Sequence, residues 1–496
     1  MKTIDDYKKH LARVADINSA SGILSWDQEI YMPPGGGQFR ARALSTLAGL
    51  SHEMFTDQKF GDLLERLSDD ASVNGVMKKN IEKSLRDYRR WKKYPTSFVE
   101  EMSRCVSEAF QAWQKAKSEN DFQIFKSPLA NLIKLKREES DLLGYKEHPY
   151  DAHLDLYEPD MKLSVLKGVF EGVRKELVDF VKIIKEKPQV EDGFMRRHYP
   201  KDKQWAFGLE VLKQMGYDFN CGRQDISSHP FSLSLNPHDV RVTTRVDEED
   251  LNNMIWSCIH EGGHALYEQG LNPENFGLPA GEAASLGIHE SQSRLWENQV
   301  GRGKSFWKYF YPKLQSVFSE NLGDHNLDAF YKAMNKVEPN FIRTEADELT
   351  YHFHIMIRTE VEEAIISGDL AVDDIPDYWN SKYDAYLGIK VPDNRKGVLQ
   401  DIHWSHGSFG YFPTYSLGSF YAAQFYFKAA ADLPNMESDF SRGDFSALLQ
   451  WLRKNVHSVG RTETSEEICH RVTGEGLNFS WFMKYARGKY SEIYGL

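Results

Sequence analysis

Cysteine is scarce in this chain, with four residues among 496: Cys105, Cys221, Cys258 and Cys469. They are widely spaced and form no CxxC pair, which excludes a disulfide framework and a thiolate zinc site. Positive charge is also in deficit, 61 Lys and Arg against 73 Asp and Glu, for a net charge of −12. An acidic chain is a poor partner for nucleic acid or an anionic membrane surface, so neither is expected. The opening MKTIDDYKKHLARVAD lacks the apolar core of a secretory signal and reads as an amphipathic helix. A reducing cytoplasm is the expected compartment.

Long uncharged runs are nearly absent too. The exception, residues 402–427, holds no Lys, Arg, Asp or Glu and is long enough to span a bilayer. It also holds His403, His406, Pro413 and Gln424, with glycines at 407, 410 and 418. Lipid would leave those polar groups unpaired. The stretch is therefore expected to be a buried, functional part of a soluble protein.

What is present is helical periodicity. Apolar residues recur at three- and four-residue spacing over 39–67, 98–116, 162–185, 326–337 and 350–367. Turn signals at residues 33–37, at Pro273 and at residues 392–394 separate such stretches. No repeat, low-complexity tract or linker divides the chain. One mainly α-helical domain over residues 1–496 is expected, with a helical part to about residue 220 walling the site and a motif-bearing catalytic part from about 221 to 496. Residues 227–246, SSHPFSLSLNPHDVRVTTRV, break the pattern by alternating with period two on both sides of Asn-Pro-His-Asp. That predicts a β-hairpin just before the motif described next. It is either a small structural element or an edge that binds an extended peptide by strand addition.

Residues 260–264 read His-Glu-Gly-Gly-His inside an apolar helical stretch. Residues i and i+4 share one helical face, so His260 and His264 can reach one ion, with Glu261 beside it as general base. Glycine costs a helix about 1 kcal/mol relative to alanine. Gly262 and Gly263 therefore suggest close approach by another backbone or a substrate. A zinc peptidase needs a third protein ligand and one open position. The HxxGxxH continuation is absent, and two downstream carboxylates remain candidates, Glu282 and Glu290. His289, Ser291 and Gln292 could orient Glu290.

These residues belong to an ordered series of short motifs. They are His229-Pro230-Phe231; Asp239-Val240-Arg241-Val242-Thr243; residues 260–264; His289-Glu290-Ser291-Gln292; Ile342-Arg343-Thr344-Glu345-Ala346-Asp347; and Gly397-Val398-Leu399-Gln400-Asp401-Ile402-His403-Trp404. With SWDQEIYMPPGG at residues 25–36, the series resembles the thermostable carboxypeptidase (carboxypeptidase Taq) family of helical metallopeptidases. The resemblance implies a largely helical fold with a deep cleft, a homodimer, and release of single C-terminal residues with broad side-chain tolerance. It implies one zinc, or sometimes cobalt, held by His260, His264 and Glu290. The GIHES and YFPTYSLGSFYAAQF stretches are more distantly similar to helical dipeptidyl carboxypeptidases related to angiotensin-converting enzyme, which puts Tyr415 where a transition-state phenol is expected.

The expected reaction is zinc-promoted attack of water on a peptide with a free C-terminus. Glu261 moves the proton, and Tyr415 with His403 or His406 donates to the oxyanion. Arginine suits recognition of a terminal carboxylate. Arg343 is the first candidate and Arg241 the second, with Asp239, Gln400 and Asp401 supporting the substrate or the site. Two other readings share these motifs, a helical metallo-oligopeptidase and a non-catalytic metal-binding scaffold.

Overall fold

The computed structural model describes residues 3–227 and 229–496; Met1, Lys2 and Ser228, which fall in the predicted opening helix and hairpin, lie outside the described residues. The opening helix runs Ile4–Ile30. Thr3 and Asp6 close its N-terminus reciprocally, each side chain accepting the other's backbone N–H at 3.2 Å. The predicted helix at 39–67 is two helices, Gly37–Phe55 and Gln58–Asp69. Asp57 makes the break, because its carboxylate accepts the Lys59 and Phe60 N–H groups and starts a new helix. The other predicted helices appear as Thr96–Glu119, Leu163–Lys185, Leu327–Met334 and Tyr351–Ser367. The uncharged stretch forms a short turn, His403–His406, and the helix Pro413–Asp432. No described helix is long and apolar enough to cross a membrane.

The chain forms two compact units, each built from three segments. The first comprises the residues up to Lys92, Glu191–Met334 and Tyr421–Leu477. Among its buried residues are Tyr7, Leu11, Phe60, Leu64, Ile81 and Leu85. The second comprises Lys93–Val190, Asn335–Phe420 and Asn478–Leu496, with Leu132, Leu166, Val173 and Leu177 in its interior.

The predicted hairpin lies in the first unit as β2 (Ser232–Asn236) and β3 (Asp239–Thr244), paired antiparallel. A third strand, β1 (Gly222–Ile226), adds parallel to β3, giving the order β1-β3-β2. The HEGGH helix, Leu251–Glu268, starts at Asp250, whose side chain accepts the Asn252 N–H. It packs on the sheet face carrying Val240, Val242 and Thr244: Thr244 bonds Ser257 at 2.6 Å and Gln224 donates to Cys258 Sγ at 2.8 Å.

The two glycines of the motif differ in what surrounds them. A Cβ on Gly263 would stand 2.7 Å from Ser293 Cα and 2.8 Å from Gln292 O, both backbone atoms. On Gly262 the obstacle is the tip of the Leu212 side chain, at 2.5 Å. The backbone approach expected from the sequence is therefore real at Gly263. Overpacking of this kind costs about 1–3 kcal/mol. Gly263→Ala should lower the unfolding free energy measured by urea titration by that order, and Gly262→Ala should cost less because Leu212 can rotate. A Gly263→Ala variant as stable as wild type would contradict the close approach.

Candidate metal centre

The contact at Gly263 sets the helix Leu286–Arg294 against the HEGGH helix. Ser285 caps this second helix by accepting the Ile288 N–H at 2.9 Å. From it Glu290 turns one oxygen, Oε2, to His264 Nε2 at 3.3 Å and His260 Nε2 at 3.6 Å. One donor atom from each of these three residues lies within 4.8 Å of the others.

Each imidazole is fixed from behind. His260 Nδ1 donates to Glu297 Oε2 at 2.8 Å. His264 Nδ1 faces the His289 carbonyl at 3.1 Å and His289 Nδ1 at 2.6 Å, and His289 Nε2 reaches Glu268 Oε1 at 2.9 Å. With both Nδ1 atoms engaged, the Nε2 lone pairs are left for a ligand, the tautomer that metal-binding histidines require. Glu297 sits on a π-helical turn, Leu295–Gly301, a wide turn often found at functional sites. Burial, reinforced by His289, pulls the His264 pKa down to about 3 and keeps that ring neutral. Burial acts the same way on His260, but the Glu290 and Glu297 carboxylates outweigh it and raise the pKa. A field that favours a proton there also favours a divalent cation. Two neutral-capable imidazoles and one carboxylate form a donor set that zinc accepts.

Glu261 is buried on the same helix. Burial pushes its pKa up to about 7. Ser232 of β2 acts against that rise, so the hairpin lies close to this carboxylate.

The other predicted residues fall into two groups. Arg241 and Asp239 lie on the sheet face opposite the HEGGH helix. Arg241 Nε and Nη2 each donate to Asp239 at 2.8 Å, and the guanidinium sits 5.6 Å from the Trp26 ring centre. In the second unit, Tyr415 Oη meets His403 Nε2 at 3.1 Å. Burial and the Arg343 charge hold the His403 pKa down at about 3. Arg343 is buried, giving Nε and Nη2 to Asp401 Oδ1 at 3.0 and 2.9 Å and Nη1 to Tyr351 Oη at 3.1 Å. Arg358 takes the other oxygen of Asp401 at 2.6 Å. Burial opposes the Asp401 charge, but the two arginines hold its carboxyl far below the usual range. Gln400 accepts the Arg343 N–H at 2.9 Å and donates to the Phe341 and Lys396 carbonyls, so its amide ties this loop together. His406 is exposed, its ring centre 5.2 Å from that of Phe110. Glu282, the alternative ligand, is half-exposed and pairs with Arg461 at 2.8 Å, away from the two histidines.

Glu268, Arg294 and Glu297 escaped the sequence reading. The available signal was spacing: Glu290, Arg294 and Glu297 stand at i, i+4 and i+7, and Glu268 stands at i+4 from His264. Each position brings a side chain onto the ligand face.

A family model described as carboxypeptidase Taq (M32) metallopeptidase matches residues 6–490. The chain is 40% identical over 488 residues to carboxypeptidase 1 of Bacillus subtilis, covering 98% of this chain and 97% of the relative. It is 39% identical over 495 residues to thermostable carboxypeptidase 1 of Thermus thermophilus, covering 97% of each. The crystal structure of an M32 carboxypeptidase from Deinococcus radiodurans superposes with a TM-score of 0.97 at 38% identity over 99% of both chains. Metal analysis of two purified variants tests the donor set: Glu290→Ala should lose most bound divalent metal and Glu282→Ala should keep it. The reverse result would exchange their roles.

Proposed function

The chain belongs to the carboxypeptidase Taq (M32) family of metallopeptidases, and from that premise we propose that His260, His264 and Glu290 hold its divalent metal, zinc in the cell with cobalt able to substitute. The chain is a metallocarboxypeptidase, a peptide hydrolase. The observation that carries the assignment is the convergence of those three donors beside the buried carboxylate of Glu261. When bound, the cation polarises the scissile carbonyl and lowers the pKa of water to about 7. Glu261 takes the water proton on a carboxylate oxygen and returns it to the leaving amine. Tyr415 donates its hydroxyl proton to the developing oxyanion, and His403 Nε2 orients that hydroxyl.

Recognition of the substrate's terminal carboxylate falls first to Arg343. Asp401, Tyr351 and Gln400 fix its backbone and guanidinium, and a pre-organised donor loses little entropy on binding. Arg241, held by Asp239, is the second candidate, and His406 is assigned to contact with the peptide. Substrates are peptides with a free C-terminus and varied side chains. The resemblance also supports a single cleft-bearing domain in a homodimer, and the sparse cysteines support a cytoplasmic location.

Two measurements test the roles. Glu261→Gln should retain fold and metal while kcat falls on the order of 10²–10⁴-fold, because only proton transfer is removed. Loss of metal in that variant would make Glu261 a ligand instead. For the clamp, a peptide with a free C-terminus is compared with its amidated twin. Arg343 keeps Asp401 as a partner, so amidation removes a charge-assisted hydrogen bond worth about 1.5–3 kcal/mol, or roughly 10- to 200-fold in kcat/KM. Wild type should show that preference and Arg343→Ala should lose most of it. Survival of the preference in Arg343→Ala, with its loss in Arg241→Ala, would move the clamp to Arg241. Equal cleavage of both peptides at internal bonds would favour an oligopeptidase.

A further inference from the structure

The two oxygens of Glu290 have different partners. Oε2 faces both imidazoles and accepts the Ser293 hydroxyl at 3.0 Å. Oε1 accepts Arg294 Nε at 2.6 Å. The same guanidinium reaches on through Nη1 to Glu297 Oε2 at 3.2 Å, the oxygen that accepts His260 Nδ1. The Arg294 side chain is 13% exposed, so this charge acts where water screens little. The i, i+4, i+7 spacing and the π-turn bring all three groups together.

We propose that Arg294 is a positioning residue that holds Glu290 as a one-oxygen ligand by capping Oε1, while orienting His260 through Glu297. The inference rests on the metal assignment above. A carboxylate free to use both oxygens would take a second coordination position, and a hydrolytic site needs that position for water and the substrate carbonyl. The arginine achieves this at a cost in capture, because its positive charge opposes the arriving cation. A residue serving only as structural support would have the opposite signature, since its removal lowers metal affinity.

The test uses the full-length protein loaded with cobalt(II), whose visible absorption reports coordination number, together with chelator competition for affinity. Wild type should show the intense bands of a four-coordinate ion. In Arg294→Met the bands should weaken as Glu290 engages through both oxygens, and cobalt should bind as tightly as in wild type or more so. kcat should fall about 10–100-fold, the usual cost of losing such a partner. Arg294→Lys keeps a charge on Oε1 but cannot also span to Glu297, so it should retain the wild-type bands. An unchanged spectrum in Arg294→Met overturns the proposal, as does a loss of cobalt affinity beyond about tenfold or weakened bands in Arg294→Lys. A wild-type protein that takes up no cobalt refutes the metal assignment itself, and this inference with it.

Discussion

The proposed metal centre depends on one close approach, the backbone of Gln292 and Ser293 lying against Gly263. The HEGGH helix brings two imidazoles to a common face without help, since helical geometry does that for any i, i+4 pair. The third donor comes from another helix, and its position is set by how near the two backbones can come. A methyl group at residue 263 would push Glu290 outward, and a misplaced ligand changes both affinity and chemistry. The glycines weaken the helix locally, and at Gly263 the missing side chain is what lets the second backbone in.

Around this point the protein buries several charged groups, each paired. Glu290 and Glu297 share Arg294, Arg302 also reaches Glu297 at 3.3 Å, and Glu268 accepts from His289. In the second unit Asp401 lies between Arg343 and Arg358. Burial of charge is costly unless it is compensated in this way. Such networks hold side chains at fixed positions and are weak sources of stability. At the proposed metal centre fixed positions would matter more, because each imidazole would have to present a lone pair and the carboxylate an oxygen.

Much of this was legible in the sequence because it is short-range. HEGGH, Glu290 within HESQ and the alternation of β2 and β3 each lie inside a few residues. The helical class followed from periodicity. The break at Asp57 was hidden because apolar spacing continues across it, and only the capping bonds reveal it. Strand β1, Gly-Arg-Gln-Asp-Ile, lacks alternation and is a strand because β3 pairs with it. Alternation places Arg241 on the strand face opposite Val240 and Val242, but only the packing of the HEGGH helix decides which of the two faces it covers. The partners of Arg343, at positions 351 and 401, and the role of Glu297 are tertiary facts. On a sequence, Glu290, Arg294 and Glu297 look like any ion-paired helix face.

The central claim is that this donor set drives removal of residues from a peptide's C-terminus, one at a time. Mass spectrometry of an unmodified peptide over time, with metal-free and zinc-reconstituted enzyme, tests it most directly. The expected result is a ladder that shortens from the C-terminus by single residues, stops when metal is removed and resumes when zinc is restored. Internal fragments appearing first, or a ladder that persists without metal, would contradict it.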